Sequence, residues 1–494
     1  MKFPSAITIL LAIAALVAIS TWFIPSGQYD TLQYRAAEKQ FVVERPGGSE
    51  TLPATQETLD ALNVRIPLDK FTSGDLYRPV SIPGTYQQTE ASPQGFFELA
   101  QAPIKGIVEA ADIIFLVLMI GGLIGIMNLT GAFDAGIAWL AKVLKGREHL
   151  LIIFTTMLMA AGGTTFGLGE ETLAFYPILI PVFLAARYDV TVGVACIYMG
   201  SNIGIMCSTI NPFSVIIASD AAGISWTTGL TMRLVMLGVV IVITTLYILR
   251  YASMIRKDPT KSLTYSQRDE HAMLFHTGGV KSDTEMSAKK LGILAVFSLC
   301  FIVMIVGVSM LGWWFVEMTT VFFVGAILIG LIARIKEDTF IAAFMKGAGD
   351  LLGVAFIIGI ARGVTVLMND GQIGATFLYH ATAITEGMAP GLFVNTVMVI
   401  YSGLSFLIPS TSGMAILTMP IMSPLADGLG LGREIVIDAY IYGVGMFYAI
   451  SPTNTLLPSI AIVKLGYDKW LRFVFPLILI FLLLFMVTFF VRVM

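Results

Sequence analysis

The stretch Gly162-Gly163-Thr164-Thr165-Phe166-Gly167-Leu168-Gly169-Glu170-Glu171 interrupts an apolar segment that occupies residues 150–161 and resumes up to residue 186. Each apolar arm is short for a bilayer crossing, since a transmembrane helix needs roughly 20 residues. Glycine-rich, polar backbone is tolerated at membrane depth only where it is buried in protein or lines a water-filled cavity. The stretch therefore predicts a re-entrant hairpin with a polar tip.

Three further segments have the same character. Residues 393–407 are apolar, lead to Pro409-Ser410-Thr411-Ser412-Gly413, and are followed by a return arm that contains Pro420. Two apolar helices, at residues 190–206 and 435–450, break at Cys207-Ser208-Thr209-Ile210-Asn211-Pro212 and at Ser451-Pro452-Thr453-Asn454. Proline removes a backbone donor and frees a carbonyl in the preceding turn, and a helix that restarts presents unpaired N–H groups. Freed carbonyls suit small cations, and helix N-termini suit carboxylates.

The composition is that of a membrane protein. Of the 494 residues, 56% are hydrophobic and 13% are charged, and the mean hydropathy is +0.83, which is more apolar surface than one soluble core can hide. We expect the lipid bilayer as a partner. The net charge of −3, without clustered Lys and Arg, argues against a nucleic-acid surface. Apolar stretches occupy residues 6–24, 107–129, 231–249, 291–311, 319–333 and 473–491.

Motifs of enzymes and ATP-driven pumps are absent from the sequence. There is no P-loop, no GxSxG elbow, no HExxH and no dinucleotide fingerprint. The three cysteines lie in apolar segments and the four histidines are scattered, so neither set has metal-ligand spacing. We expect no enzymatic activity, no catalytic residues, no metal site and no cofactor other than a coupling ion.

The sequence repeats itself at an offset of 241 to 243 residues. Lys105-Gly106 returns as Lys346-Gly347, and Asn211 returns as Asn454. Basic residues follow the first helix of copy one but not that of copy two, and the pattern reverses after the broken helices. By the positive-inside rule the copies have opposite orientations. The prediction is an all-α polytopic membrane protein with two inverted repeats, re-entrant hairpins and broken helices, an arrangement typical of secondary transporters.

Charge and turn residues also divide the chain. The segment 250–290 is rich in Lys and Arg near its ends, so it is predicted to be cytoplasmic. The N-terminus is then cytoplasmic, and the Pro- and Gly-rich loop at 25–96 is extracytoplasmic. We expect a multi-pass protein of the cell inner membrane. The predicted parts are a first transmembrane helix (1–24), the outer loop (25–96), a first repeat (97–250), a cytoplasmic loop (251–290), linking helices (291–337) and a second repeat (338–494).

The polar tips and breaks supply the candidate binding residues. Ionisable groups inside apolar stretches usually face a cavity or a partner, although Ser and Thr can also simply join helices. For Arg362 and Asp438 three roles stay open: counter-ion, scaffold salt bridge or substrate ligand. The aromatic residues Trp313, Trp314 and Trp470 are interpreted as interfacial belts. The substrate candidates are Thr164, Thr165, Glu170, Glu171, Ser208, Thr209, Asn211, Ser410, Thr411, Ser412, Thr453 and Asn454, and the ion candidates are Asn211, Ser451, Asn454 and Asp438.

The run from Gly162 to Pro177, with its Gly-Leu-Gly-Glu-Glu-Thr motif, and the later Ser208-Thr209-Ile210-Asn211-Pro212-Phe213 resemble the YfcC and ArcD branch of the C4-dicarboxylate anaerobic carrier family. The likeness covers nearly the whole chain. It implies the ion transporter superfamily fold, in which a scaffold domain, often dimeric, holds a transport domain with two hairpins that moves in an elevator-like manner. Members of the branch are described as carriers of dicarboxylates, of short carboxylates, or of arginine in exchange for ornithine.

The residues and the resemblance together favour secondary active transport of a small carboxylate-bearing metabolite. Glu170 and Glu171 suit a cationic amino group, whereas helix N-termini and hydroxyls suit a carboxylate, so the substrate is an amino acid or a C4-dicarboxylate. An arginine/ornithine-type antiporter is the main alternative. An ion channel ranks lower, because channels repeat by subunit symmetry instead of by inverted halves in one chain. Coupling to Na⁺, coupling to H⁺ and exchange all stay open.

Overall fold

The computed structural model describes residues 4–74, 76, 78–143, 145–275, 286–311, 313–385, 387–408 and 410–493. Pro409 of the second predicted tip and residues 276–285 of the predicted cytoplasmic loop lie outside this part. The helices are α1 (Ala6–Ser20), α2 (Gln56–Ala61), α3 (Leu68–Thr72), α4 (Phe96–Glu109), α5 (Ala111–Thr130), α6 (Ala132–Val143), α7 (His149–Thr165), α8 (Tyr176–Ala185), α9 (Val190–Val194), α10 (Gly200–Met206), α11 (Ile217–Ala221), α12 (Leu230–Lys257), α13 (Arg268–Leu274), α14 (Ala288–Leu311), α15 (Phe315–Ala333), α16 (Glu337–Asp350), α17 (Leu352–Asp370), α18 (Gly374–Thr385), α19 (Pro390–Leu407), α20 (Thr411–Gly428), α21 (Arg433–Tyr448), α22 (Leu456–Ile462) and α23 (Tyr467–Val493).

Six of these helices are long and apolar enough to cross a membrane, namely α5, α12, α14, α15, α17 and α23. The prediction of a polytopic membrane protein is confirmed at this level. The first helix is shorter than the predicted 6–24 span: α1 ends at Ser20, where its C-cap Thr21 turns the chain. A 15-residue helix is about 22 Å long, less than the roughly 30 Å thickness of a bilayer core.

Residues 25–96, which we call the sheet domain, correct the prediction that the fold is all-α. The domain contains a four-stranded antiparallel sheet in the order β4-β3-β2-β5 and a two-stranded sheet, β1-β6. In β2, Leu32 is fully buried between the polar residues Thr31 and Gln33, whereas β3 has a continuous buried run, Phe41 to Val43. Pro46-Gly47 closes the β3–β4 hairpin with Gly47 at φ +101°, as a Pro-Gly turn requires. The strands are β1 (Gly27–Gln28), β2 (Thr31–Arg35), β3 (Gln40–Arg45), β4 (Gly48–Pro53), β5 (Val80–Ser81) and β6 (Gln87–Gln88).

The interrupted segments lie where the sequence places them. Helices α7 and α8 form a hairpin around tip 1, which we define as residues 165–172, and α19 and α20 form a hairpin around tip 2, residues 410–412. The first broken helix comprises α9, α10 and α11, with break 1 at residues 207–211; the second comprises α21 and α22, with break 2 at residues 449–455. Two π-helical turns, Ala195–Met199 and Pro212–Ile216, were not predicted, and such turns are frequent at functional sites.

The order of elements from α4 to α12 returns from α16 to α23: a short helix, a long helix, a short helix, a hairpin, a broken helix and a long helix. The two copies also pack reciprocally, with α4 against α17 and α16 against α5. These crossings depend on glycine. A side chain on Gly106 would collide with the backbone of Gly359 and Gly363, and one on Gly347 would collide with Gly121, so the helix backbones touch directly.

Candidate substrate cavity

Tip 1 is held in shape by its own hydrogen bonds. The N–H of Gly169 donates to Oε2 of Glu171 at 2.9 Å, and Oγ1 of Thr172 donates to the Gly169 carbonyl at 2.6 Å. Oγ of Ser201, on α10, donates to the Leu168 carbonyl. One oxygen of the Glu171 carboxylate thus accepts a hydrogen bond within the tip. The Glu170 carboxylate has no such hydrogen bond among the described residues.

Break 1 is bonded directly to the hairpin that carries tip 1. The N–H of Thr209 donates to Oγ1 of Thr164 at 3.0 Å, and Nδ2 of Asn211 donates to the Gly163 carbonyl at 3.3 Å. Oδ1 of Asn211 accepts from the N–H of Phe213 at 2.8 Å, so this side chain caps the restarted helix. Tip 1 and break 1 therefore form one bonded unit.

Tip 2 is positioned by a cap and by two neighbouring elements. Oγ of Ser410 accepts from the N–H of Gly413 at 3.2 Å, which starts α20. The hydroxyl of Tyr440, on α21, donates to the Thr411 carbonyl at 2.8 Å. Nη1 of Arg78, from the sheet domain, donates to Oγ of Ser412 at 3.2 Å.

The carbonyls freed at break 2 are not left unsatisfied. Tyr198 donates to the Tyr448 carbonyl at 2.7 Å, Trp470 to that of Ala449 at 2.9 Å, and Tyr467 to that of Ile450 at 2.6 Å. The expectation that this break leaves free carbonyls for a cation is thus not supported at these three positions. Trp470 is fully buried, so its interpretation as part of an interfacial belt was wrong.

Both tips and both breaks meet at one cavity of about 1060 Å³. Segments that are up to about 290 residues apart in sequence thus share one partly open cavity, whose volume is at the upper end of the range for small-molecule sites. Eight of the twelve substrate candidates, including both tip carboxylates, line this cavity, while Thr453 lines a side pocket of about 60 Å³. The candidates on the main cavity wall are Thr165, Glu170, Glu171, Asn211, Ser410, Thr411, Ser412 and Asn454.

Other candidates lie behind the wall. Thr164 and Thr209 bond to each other, Oγ1 to Oγ1, at 3.1 Å. Ser208 bonds Ser214 at 2.9 Å, and Ser451 bonds Thr453 at 2.9 Å. None of Thr164, Ser208, Thr209 and Ser451 is among the residues that line either pocket. In this structure these hydroxyls position the tips and breaks instead of facing the cavity.

Arg362 and Glu170 are two of the four described charged residues that line the main cavity; the other two are Arg78 and Glu171. Arg362 and Glu170 both line the main cavity and the side pocket. Within the part of the chain that the structure describes, neither side chain has a hydrogen bond or an ion pair. A guanidinium and a carboxylate in a membrane protein are costly unless they serve a ligand or a partner, and here both face the same space.

A family model described as C4-dicarboxylate anaerobic carrier matches residues 3–494. The chain belongs to this family. The family and its members indicate a membrane transporter. An uncharacterised protein of Haemophilus influenzae is 41% identical over 97% of this chain and 94% of its own length. The Escherichia coli protein YfcC, provisionally named a basic amino acid antiporter, is 28% identical over 95% of this chain and 92% of its own.

Two solved structures are similar to this carrier over most of its length. The Alcanivorax borkumensis YdaH transporter has a TM-score of 0.39 and 14% identity, and covers 98% of this chain and 97% of its own. Neisseria gonorrhoeae MtrF, described as illuminating a class of antimetabolite efflux pumps, has a TM-score of 0.38 and 15% identity, and covers 99% and 95%. At such TM-scores the likenesses carry no argument about the carrier.

Asp438 does not belong to the cavity of this carrier. Its carboxylate accepts from Nε of Arg233 at 2.7 Å and from Nη1 of Arg492 at 2.5 Å, and the side chains of Asp438 and Arg233 are fully buried. Two guanidiniums already compensate the one negative charge, so a cation would meet repulsion here. Of the three roles left open for Asp438, the structure favours the scaffold salt bridge, and it also argues against the separate assignment of Asp438 as an ion ligand.

Several cavity residues carry no signal in the sequence. Arg78 lies 84 positions before Gly162, in a polar loop with no motif, yet it reaches the cavity wall. Tyr198 and Tyr448 look like ordinary apolar-helix residues. Trp313 and Trp314 line the cavity, and the ring of Trp314 lies 5.3 Å from that of Phe213, so the belt interpretation missed their position. The sequence contains one weak indication of this position: Trp313 and Trp314 lie in the turn between two apolar helices, α14 and α15.

Replacing Gly204 by alanine should strongly destabilise the tip of the carrier's first hairpin. A Cβ there would collide with the Ala160 carbonyl, where α10 crosses α7, and well-packed backbones cannot yield without separating. We expect a loss of about 1–3 kcal/mol, measured as a lower unfolding midpoint of the purified protein. Gly238, on α12, is the matched control because its Cβ would meet nothing within 4 Å. An equal effect of Gly238→Ala would contradict the packing argument.

Proposed function

We propose that this carrier is a secondary active transporter of an amino acid. The observation that carries the proposal is that Arg362 and Glu170, both without a partner among the described residues, line the same cavity and its side pocket. An α-carboxylate pairs with a guanidinium in a bidentate manner, and an α-ammonium pairs with a carboxylate. A substrate with both groups satisfies both side chains, whereas a dicarboxylate leaves Glu170 opposed by like charge.

Basic amino acids are the first substrate class to test. Glu171 adds a second carboxylate to the cavity wall, which suits the additional positive charge of arginine or ornithine. The provisional name of the E. coli relative supports the same class. The second candidate is a C4-dicarboxylate, favoured by Arg78, which adds a second guanidinium to the cavity, and by the name of the family.

We further infer two inverted repeats and an elevator-like movement. The reciprocal packing of α4 on α17 and of α16 on α5 supports two copies that face each other. The hairpins and broken helices bond to one another, for example Nδ2 of Asn202 to the Gly445 carbonyl at 2.9 Å, which supports a transport part that moves as one body. In this proposal α1, α4–α6 and α14–α18 form a scaffold, the protein is a homodimer in the inner membrane, the N-terminus is cytoplasmic, and the sheet domain is extracytoplasmic.

The proposal includes three alternative modes of coupling, of which two use an ion, Na⁺ or H⁺. For Na⁺ the supporting residues are Asn211 and Asn454, which line the cavity and whose side-chain oxygens also accept the N–H groups of Phe213 and Thr455; Ser451 is the third candidate. For H⁺ the supporting groups are Glu170 and Glu171, two carboxylates that are neighbours in sequence at one tip. Exchange of two substrates without an ion is the third arm.

A ligand screen on the purified full-length protein tests the substrate. A ligand that binds only the folded state stabilises it by RT ln(1 + [L]/Kd), about 2.7 kcal/mol at a hundredfold excess over Kd. We expect arginine, ornithine or another amino acid to raise the melting temperature, and the matching descarboxy and deamino analogues to raise it less. The screen is run with and without Na⁺ and at two pH values.

Stabilisation by succinate or fumarate, but by none of the amino acids, would overturn the amino acid proposal in favour of the dicarboxylate. Counterflow in proteoliposomes then distinguishes a carrier from a channel. When the vesicles are loaded with unlabelled substrate, only a carrier accumulates labelled substrate from the outside. If the ligand raises the melting temperature only with Na⁺ present, coupling to Na⁺ is supported. If the rise depends on pH, coupling to H⁺ is supported.

A further inference from the structure

The sheet domain is fastened to helices on one side by polar and aromatic contacts. The hydroxyl of Tyr86 bonds Oγ1 of Thr376 at 2.9 Å, and its ring stacks on Tyr379 at 4.3 Å. Oγ1 of Thr89 donates to Oε1 of Gln372 at 2.8 Å. These partners lie on α18 and in the turn before it, so this side of the domain is fixed to the end of α17 and to α18.

A second set of sheet-domain residues contacts the helices that carry the cavity. Lys70 pairs with buried Asp220, on α11, at 2.8 Å. Arg65 pairs with Asp427, at the end of α20, at 3.2 Å. Among the described residues of the sheet domain, Arg78 is the one that lines the cavity, and its guanidinium donates to Ser412 at tip 2. The domain therefore bridges two groups of helices on one face of the molecule.

We propose that the sheet domain is a lid on the substrate cavity and that Arg78 is the positioning residue that closes it. The contact between Arg78 and Ser412 joins the lid to tip 2, and tip 2 itself lines the cavity. The guanidinium of Arg78 is thus part of the cavity wall, and its hydrogen bond to Ser412 also holds tip 2. We call this contact between Arg78 and Ser412 the clamp. Passage of substrate on this face requires that the clamp opens.

Position distinguishes Arg78 from the other two basic contacts. Lys70 and Arg65 bind acidic groups at helix ends outside the cavity lining, so they attach the domain without touching the substrate space. Asp427 is also paired in a bidentate manner with Arg433, so the loss of Arg65 leaves Asp427 compensated. Arg65 is therefore a matched control: the same residue type, in the same domain, bound to the same hairpin, but outside the cavity.

The test measures access to the cavity from each membrane face. Thr455, which lines both pockets, is replaced by cysteine in a chain whose three buried cysteines, Cys196, Cys207 and Cys300, are changed to alanine. A membrane-impermeant maleimide is applied to right-side-out and to inverted vesicles, and the labelling rate is compared for the parent and for Arg78→Ala, Arg78→Lys, Ser412→Ala and Arg65→Ala.

We expect Arg78→Ala and Ser412→Ala to accelerate labelling about tenfold from the face that carries the sheet domain, because a hydrogen bond from a charged donor contributes about that factor to a closed-to-open ratio. Labelling from the other face stays unchanged, Arg78→Lys restores most of the protection, and Arg65→Ala behaves like the parent. Unchanged labelling in both Arg78→Ala and Ser412→Ala would overturn the proposal. An equal acceleration in Arg65→Ala would also overturn it, because the domain would then be a passive cover. The readout needs no knowledge of the substrate.

Discussion

Replacing Asp438 by asparagine should lower the free energy of unfolding by about 3–5 kcal/mol, the range for breaking a buried ion pair. The substitution leaves Arg233, which is fully buried, and Arg492 without their common carboxylate. Two guanidiniums that approach one carboxylate at 2.7 and 2.5 Å then repel each other in a medium of low dielectric constant. Because α12, α21 and α23 carry the three residues, we expect these helices to separate first.

The midpoint of chemical unfolding of the purified protein measures this effect, and Asp427→Asn is the matched control. Asp427 also pairs with two arginines, but its side chain is 29% exposed, and exposed ion pairs contribute about 0–1 kcal/mol. Equal midpoints for the two variants would contradict the buried cluster. A stable Asp438→Asn protein that has lost only ion coupling would restore the original ion-ligand hypothesis.

Arg362→Gln and Glu170→Gln should each weaken amino acid binding about thirtyfold or more. Truncating one partner of a desolvated charge pair costs about 2–5 kcal/mol, and each side chain faces the cavity without a protein partner among the described residues. We expect a smaller loss for Glu171→Gln, since Glu171 also accepts the N–H of Gly169 within tip 1. Direct binding of the amino acid found by the ligand screen measures all three.

Substrate analogues make the two roles separable. If Arg362 binds the α-carboxylate, Arg362→Gln no longer distinguishes the amino acid from its descarboxy analogue. If Glu170 binds the α-ammonium, Glu170→Gln no longer distinguishes it from its deamino analogue. Lys346→Gln, which removes an exposed cation on α16 outside the cavity, should bind like the parent. Wild-type binding by both cavity variants would refute the assignment of these charges to the substrate.

The tips and breaks were predictable because membrane physics makes them conspicuous. Polar Gly-rich backbone between apolar arms has few explanations at membrane depth, so the run from Gly162 to Glu171 and the segment at Asn211-Pro212 identify the hairpin and the break by themselves. Their convergence was predictable only from the repeat, which relates Asn211 to Asn454. The hydrophobic pattern therefore located the segments, and the internal similarity suggested that they belong together.

The remaining features depend on contacts between distant residues. Asp438 looks the same in sequence whether it binds an ion or an arginine, and Arg233 is separated from it by 205 positions. Arg78 enters the cavity because a separate domain docks beside tip 2. The strands of the sheet domain could have been predicted, since the alternation around Leu32 and the aromatic and β-branched run from Phe41 to Val43 are visible in the sequence.

The reciprocal glycine crossings constrain the order in which the chain reaches its final state. Gly106 touches Gly359 and Gly363, which are synthesised roughly 10 to 50 seconds later at ordinary elongation rates. Until α16 and α17 are synthesised, the glycine-containing faces of α4 and α5 have no helix to pack against. Lipid or another protein has to cover these faces in the meantime. Neither half of this protein is thus a folding unit of its own, and the ribosome must synthesise the first two helices of the second copy, α16 and α17, before the first copy can complete its packing.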